Sequence, residues 1–367
     1  MIPLFRVFMS DTVDKPLLDV LHSGFIGEGQ KVVEFEDMIK DKLGCRNVIS
    51  LNNGTAGLHI AYQMLINYDP DAEIIVSPMT CSATLTPIMA NRGKIVWADI
   101  DPVSGNISPQ DIERKITKKT KAIVAMHWGG MPCNLDEIGR ISKIYNIPVI
   151  EDAAHAMGSI WNGGYIGSHS DFVMFSLQAI KHITSVDGGL LAIKGQNFYD
   201  RAKLLRWYGI SREVKEVNDL RCELDISETG HKMHMSDVTA VIGMENFKYL
   251  DSIVKSHQEN AEYYDEVFEK ANVSYAKALP NSKSSYWLYT IHANNRDQLM
   301  EALKKEGIMS SKVHTRNDVH SAFNNFKSEL PNVSKFQRTH LCIPVGWWVT
   351  KEDREFIADR VLHYIQR

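Results

Sequence analysis

The stretch Pro148-Val149-Ile150-Glu151-Asp152-Ala153-Ala154-His155 decides how this chain folds, together with Phe175-Ser176-Leu177-Gln178-Ala179-Ile180-Lys181, whose lysine stands 29 positions after Asp152. Each opens with a short apolar, β-type run and passes into polar, turn-forming residues, which predicts a buried strand opening into a loop. Outward from these, similar runs recur at residues 47–51, 74–77, 94–98, 122–126, 148–150, 172–175 and 190–193. Helical stretches of mixed polarity at 57–66, 82–91, 109–116 and 135–145 separate the first five. Strands alternating with helices need crossover connections, so an α/β fold with a mainly parallel sheet covered on both faces is expected.

With 367 residues, the chain is too long for one small core. The pattern predicts a large three-layer α/β domain over residues 1–245 and a smaller C-terminal α+β domain over 246–367. Residues 237–270 read as one helical stretch bridging the two. The smaller unit carries strands near 286–292 and 310–314, a helix at 296–305 and a closing helix at 352–365. Thr350 is the expected N-cap of that last helix, with Asp353 in place of the usual Glu of a capping box.

Composition excludes several classes of function. A net charge of −4 points to no nucleic-acid or anionic-membrane partner. The densest basic run, Lys115 to Lys121, reads as the solvated end of a helix. Five scattered cysteines (Cys45, Cys81, Cys133, Cys222 and Cys342), with no CxxC pair, argue against a disulfide framework or a zinc site and for a reducing compartment. No window is apolar for the length of a membrane span, and the N-terminus does not read as a signal peptide, so the cytoplasm is expected.

An amine that forms an imine, with a carboxylate that keeps a ring nitrogen protonated, is the minimum kit for pyridoxal phosphate (PLP) chemistry. Lys181 is the candidate for the aldehyde and Asp152 for the pyridine nitrogen. Taken alone, Asp152 also reads as a helix N-cap and His155 as a partly buried, backbone-satisfied histidine; with the cofactor, His155 would contact the ring hydroxyl or the aldehyde side. A phosphate needs N–H groups at a helix start. Asn53-Gly54-Thr55-Ala56-Gly57 follows a strand and opens a helix, with Gly54 allowing close approach and Thr55 and Ala56 offering N–H groups. Ser176 and Gln178 are natural second contributors.

These motifs resemble the DegT/StrS family of PLP-dependent nucleotide-sugar aminotransferases, which have the fold type I architecture. The resemblance runs through Phe35-Glu36, Asn53 to Ala56, Glu151 to Ala156, Gly167-Ser168, the serine-to-lysine segment, Asp187-Gly188-Gly189, Gly230 to Met235, and Val313-His314 with His320. It implies that Lys181 is the Schiff-base lysine, Asp152 the pyridinium partner, and Thr55, Ala56, Ser176 and Gln178 phosphate contacts. It also implies a homodimer in which Gly230-His231-Lys232 reaches the partner's cofactor, with Lys232 where the family commonly has Asn. Cys81 follows Pro78-Met79-Thr80 where the family usually stacks an aromatic ring on the cofactor, and Asp187 shortens a usual Glu.

The implied reaction is a two-step transfer of an amino group from L-glutamate to a keto-sugar on a nucleotide diphosphate. A 4-keto-6-deoxyhexose is the first expectation and a 3-keto sugar the second. His314, Arg316, His320 and Trp207-Tyr208 are candidates for binding this acidic substrate. Lys181, where some relatives carry histidine and act as dehydratases, favours amino transfer. A PLP-dependent lyase, aldolase or dehydratase, and a non-catalytic regulator built on the same fold, are the competing readings.

Overall fold

A computed structural model describes residues 1–212 and 225–365, so Cys222 lies outside the described residues. Five of the short apolar runs become parallel neighbours or crossover partners in one sheet: β1 (Val48–Leu51), β2 (Glu73–Val76), β3 (Lys94–Trp97), β4 (Thr120–Met126) and β5 (Val149–Asp152). A small hairpin follows, β6 (Ile160–Trp161) and β7 (Gly164–Tyr165), and then β8 (Phe172–Ser176) and β9 (Gly189–Ile193). The order across the sheet is β1-β9-β8-β5-β4-β2-β3, and β9 alone runs against its neighbours. The mainly parallel sheet read from the sequence is therefore present.

Side chains alternate between the faces of a strand, and the core divides accordingly. Ile74, Val76, Val124, Met126, Ile150 and Met174 enter one apolar cluster, while Ile75, Ile123, Ala125, Val149, Val173 and Phe175 enter the other. Burial on both faces is why these strands are near-continuously hydrophobic. The parallel strands β4, β5 and β8 are paired in register, Met126 beside Asp152 and Asp152 beside Met174. Their carboxyl ends thus open along one edge, the usual place for a ligand in an open α/β sheet.

A second sheet follows, β10 (Ser274–Tyr275), β12 (Tyr289–His292) and β13 (His340–Ile343), while β11 (Ser282–Lys283) pairs with β6 of the hairpin. Four expectations are corrected here. Residues 237–270 form two helices, Asp237–Phe247 and Leu250–Lys270, because Tyr249 leaves helical geometry at ψ 3°. The strand expected from 286 begins only at Tyr289, since Tyr286 has φ +48° and cannot continue an extended ladder. The 310–314 segment contributes a single bridge, Ser311 to Cys342, and the third strand is His340–Ile343. The helix before the basic run ends at Lys115 and β4 starts at Thr120, which leaves the remaining lysines in a turn. The closing helix carries its expected cap: Thr350 Oγ1 accepts from the Asp353 N–H at 3.1 Å, and the Asp353 carboxylate accepts from the Thr350 N–H at 3.2 Å.

Candidate functional site

Asp152 is the last residue of β5, and Lys181 lies in the turn that follows β8. The sheet brings them together across 29 residues of chain because β5 and β8 are neighbours. Asp152 is buried, and both carboxylate oxygens are held. Oδ1 accepts the Ala154 N–H at 3.1 Å and Oδ2 accepts the Thr84 hydroxyl at 2.6 Å. Thr84 Oγ1 stands 2.7 Å from Thr80 Oγ1, so a hydroxyl chain fixes the carboxylate from behind. Burial raises the Asp152 carboxyl above its ordinary value, opposed by the Thr84 and Ala154 bonds and by the nearby Lys181.

Burial acts on Lys181 in the opposite sense and pushes its amine down to about 8, against the pull of Asp152 and Cys81. A buried lysine near neutrality can act as nucleophile and as proton carrier, unlike a solvated one. Cys81 is exposed and stands at the N-cap of the helix Ser82–Ala90. His155 is buried, its ring stacked 3.8 Å from that of Trp287, and its Nδ1 has no hydrogen-bond partner. His314 lies parallel to it at 5.4 Å, with φ +57° and a buried, unpartnered Nε2. Two buried imidazole nitrogens without partners beside a lysine are unusual in a core.

The glycine-threonine turn meets the serine-to-lysine segment. A Cβ on Gly54 would lie 2.8 Å from Met174 Sδ and 3.3 Å from Ser176 Cβ, so a side chain there would have to push Met174 aside and glycine lets the helix start sit close on β8. Gly54 opens the helix Gly54–Ile66, whose N-cap Asn53 accepts the Ala56 N–H at 2.8 Å. Of the expected anion donors, Ala56 is therefore already engaged by its own cap. Gln178 Oε1 accepts the Ile180 N–H at 3.1 Å, which shapes the turn that presents Lys181.

The remaining candidates fall apart from this cluster or beside it. Arg316 is held bidentate by Asp318 and donates to Ser334 Oγ at 2.6 Å. His320 is exposed. Lys232 is exposed too, its amine 4.4 Å from the Trp207 ring and 5.7 Å from the Tyr208 ring. Residues absent from the sequence reading complete the site. Thr84 orients Asp152, Trp287 lies over Lys181, and Asn317 ties the His314 loop to the segment before Cys81 through Pro78 O (3.1 Å) and Thr80 O (2.6 Å). Behind Asp152, His127 accepts the Cys133 N–H on Nδ1 at 3.0 Å, which leaves Nε2 to donate to Glu151 at 2.8 Å. A Thr one turn past Cys81 and a Trp in a late strand approach carry no local signal of their own.

Burial also depresses a set of histidines: His257, His314 and His340 each to about 4, and His155 and His182 well below their ordinary value. Their unfolded value is about 6.5. Between pH 6.5 and 4 the unfolded chain binds more protons, so the stability they contribute is complete above 6.5 and is lost as pH falls toward 4. For one histidine lowered to about 4 the loss by pH 4 is about 3 kcal/mol. Urea midpoints should drop steeply across this window, and a flat profile would show that these rings are not held neutral.

A lysine and a carboxylate at the carboxyl edge of a mainly parallel sheet, with a glycine-opened helix start beside them, define a PLP-dependent enzyme of fold type I. The unpartnered nitrogen of His155 and the close contact at Gly54 fit a ring and a phosphate. The chain belongs to the DegT/DnrJ/EryC1/StrS aminotransferase family, which it matches over residues 9–362. It is 32% identical to the sugar aminotransferase CalS13 of Micromonospora echinospora, with a TM-score of 0.95 over 99% of this chain and 100% of that one. It is 30% identical to the UDP-4-amino-4,6-dideoxy-N-acetyl-β-L-altrosamine transaminase of Campylobacter jejuni over 97% of this chain and 94% of the relative. The UDP-4-amino-4-deoxy-L-arabinose–oxoglutarate aminotransferase of Shewanella sediminis is also 30% identical, over 86% and 84%. The protein is thus an aminotransferase that uses PLP. No helix among the described residues is long and apolar enough to cross a membrane, and no cluster of metal-ligating side chains is found among them.

Proposed function

We propose that this aminotransferase moves the amino group of L-glutamate to a keto-sugar carried on a nucleotide diphosphate, in the cytoplasm, with a 4-keto-6-deoxyhexose as the first candidate acceptor. The observation that carries the reading is the half-buried Lys181, its amine lowered to about 8, beside a buried, doubly hydrogen-bonded Asp152. The named nucleotide-sugar transaminases among its relatives support the acceptor, and the oxoglutarate-linked relative supports the donor. PLP supplies an aldehyde that carries the amino group and a ring that accepts electrons. Lys181 would hold the aldehyde carbon and then move the proton between substrate carbon and cofactor. Asp152 would keep the pyridine nitrogen charged, and His155 would donate toward the ring hydroxyl. Gly54, Thr55, Ser176 and Gln178 would hold the phosphate, while Cys81 would lie at the face of the cofactor ring and His314 would meet the substrate.

A homodimer is part of this reading, with Lys232 serving the partner's site. Its support is the exposed position of Lys232 and an apolar strip of Leu18, Leu21, Phe25 and Ile26, of which Phe25 is 79% exposed. The division near residue 245 is supported by a separate apolar cluster drawn from Ala261 to Val361.

The test is a panel of nucleotide-linked 3- and 4-keto sugars incubated with PLP-loaded protein and glutamate. One 2-oxoglutarate should form for each amine placed on the sugar, more with the 4-keto acceptors. Glutamate left unconsumed with every nucleotide-linked acceptor would remove this assignment.

A further inference from the structure

Trp287 meets Lys181 at closer range than any charged group. The amine nitrogen of Lys181 lies 3.7 Å from the centroid of the Trp287 ring. Among the described residues no carboxylate forms an ion pair with it. An ammonium over an indole face is attracted by the ring quadrupole, most strongly where water is excluded. Trp287 is only 4% exposed.

The ring cannot easily move. Its Nε1–H donates to Ile180 O at 2.8 Å, which ties it to the residue before the lysine. It also stacks on Phe5 at 4.8 Å and on His155 at 3.8 Å. The preceding backbone is pinned from the helix Leu250–Lys270 and from the loops that carry His182 and Ser159. Gln258 donates to Ser284 O (2.8 Å), His182 to Ser285 O (2.9 Å) and His257 to Tyr286 O (2.8 Å), while the Ser285 N–H donates to Ser159 Oγ (3.0 Å). A Cβ on Gly130, which has φ +96°, would lie 2.8 Å from Ser285 Oγ and 3.0 Å from Tyr286 N, so the segment is packed on bare backbone. This many bonds on four residues fix one position for one ring.

We propose that Trp287 is a positioning residue for Lys181: its indole face is the seat that the ammonium occupies whenever the lysine is not joined to the cofactor. This rests on the reading of Lys181 as the cofactor's lysine. In both half-reactions the displaced amine takes a proton from one carbon and returns it to another, so between the two transfers it is an ammonium that must stay near the substrate carbon, and a carboxylate in that place would compete for the proton. An aromatic face holds the charge without accepting the proton.

The seat and a merely structural cover predict opposite shifts. The charged and titratable groups around the amine are Asp152, Cys81, His155, His182 and His314. With these unchanged, losing the ring removes a stabiliser of the ammonium and lowers the pH at which the amine becomes free. Losing a cover instead admits water and raises that pH. The experiment is recombination of PLP-free protein with PLP across a pH series, followed by the visible band, in wild type, Trp287→Leu and Trp287→Phe. The Leu variant should have its rate midpoint lowered by about half to one pH unit, and the Phe variant by less. A midpoint that is unchanged or raised in the Leu variant would overturn the proposal. If the Leu variant fails to fold, the Phe variant decides by the sign of its own shift, since benzene is the weaker cation binder. Lys181→Ala is the separate control: a visible band identical to wild type in that variant would refute the lysine assignment itself.

Discussion

Lys181→Ala should lower amino transfer by about 10⁴-fold, the upper end of what a positioned acid–base group contributes, because the same amine also activates the carbonyl. Cofactor binding should weaken much less, since Asp152, Gly54 and Ser176 are untouched by the change. Lys181→Arg should be as inactive as the alanine variant. Arginine keeps the charge over Trp287 but neither forms the imine nor releases its proton near neutrality. Single-turnover conversion of bound PLP by glutamate is the measurement, and partial recovery of the alanine variant by added ethylamine would identify the missing group as an amine. A rate within tenfold of wild type would mean that another base moves the proton.

What the sequence disclosed of this site follows the range of the interactions involved. Asp152 and Lys181 were legible because each follows an apolar run, while the β5–β8 pairing that joins them was not, since a hairpin and no crossover helix lies between the two strands. Gly54 and Ser176 were legible for a similar reason, as a helix start and a strand end whose motifs have fixed neighbours. Thr84 was not, because its hydroxyl matters only through a partner 68 positions away. Trp287 was not, since an indole in an apolar late segment reads as core. Its place over Lys181 depends on Gln258, His182 and His257, which come from separate elements. Arg316 reads from the sequence as a cation for the acidic substrate, and only the fold reveals its pairing with Asp318, two residues on. In the second sheet, β13 was missed and 310–314 was taken in its place. Both segments are short, and pairing with β12 settles which of them is the strand.

Asp152→Asn is the change expected to do most after loss of the lysine. The amide has nearly the shape of the carboxylate, so the Ala154 bond at 3.1 Å can persist while the negative charge is lost. Without that charge a buried ring nitrogen has no reason to stay protonated, and the ring loses most of its power to accept electrons. A drop in kcat of about 10²–10³-fold is expected, in the range of losing one preorganised electrostatic partner, with KM for glutamate changed far less. Thr84→Val should act through the same carboxylate and more weakly. It deletes the 2.6 Å bond to Oδ2, one of the groups that opposes the effect of burial, so the Asp152 carboxyl rises further. Because the ionised carboxylate is the working form, the acid limb of the rate profile should move to higher pH in Thr84→Val and lose its Asp152 component in Asp152→Asn. The double variant should be no worse than Asp152→Asn, since a hydroxyl that works only by holding a charge has nothing left to hold. Additive losses in that cycle would place Thr84 in a separate role, and an acid limb unmoved by either change would remove Asp152 from the ring nitrogen.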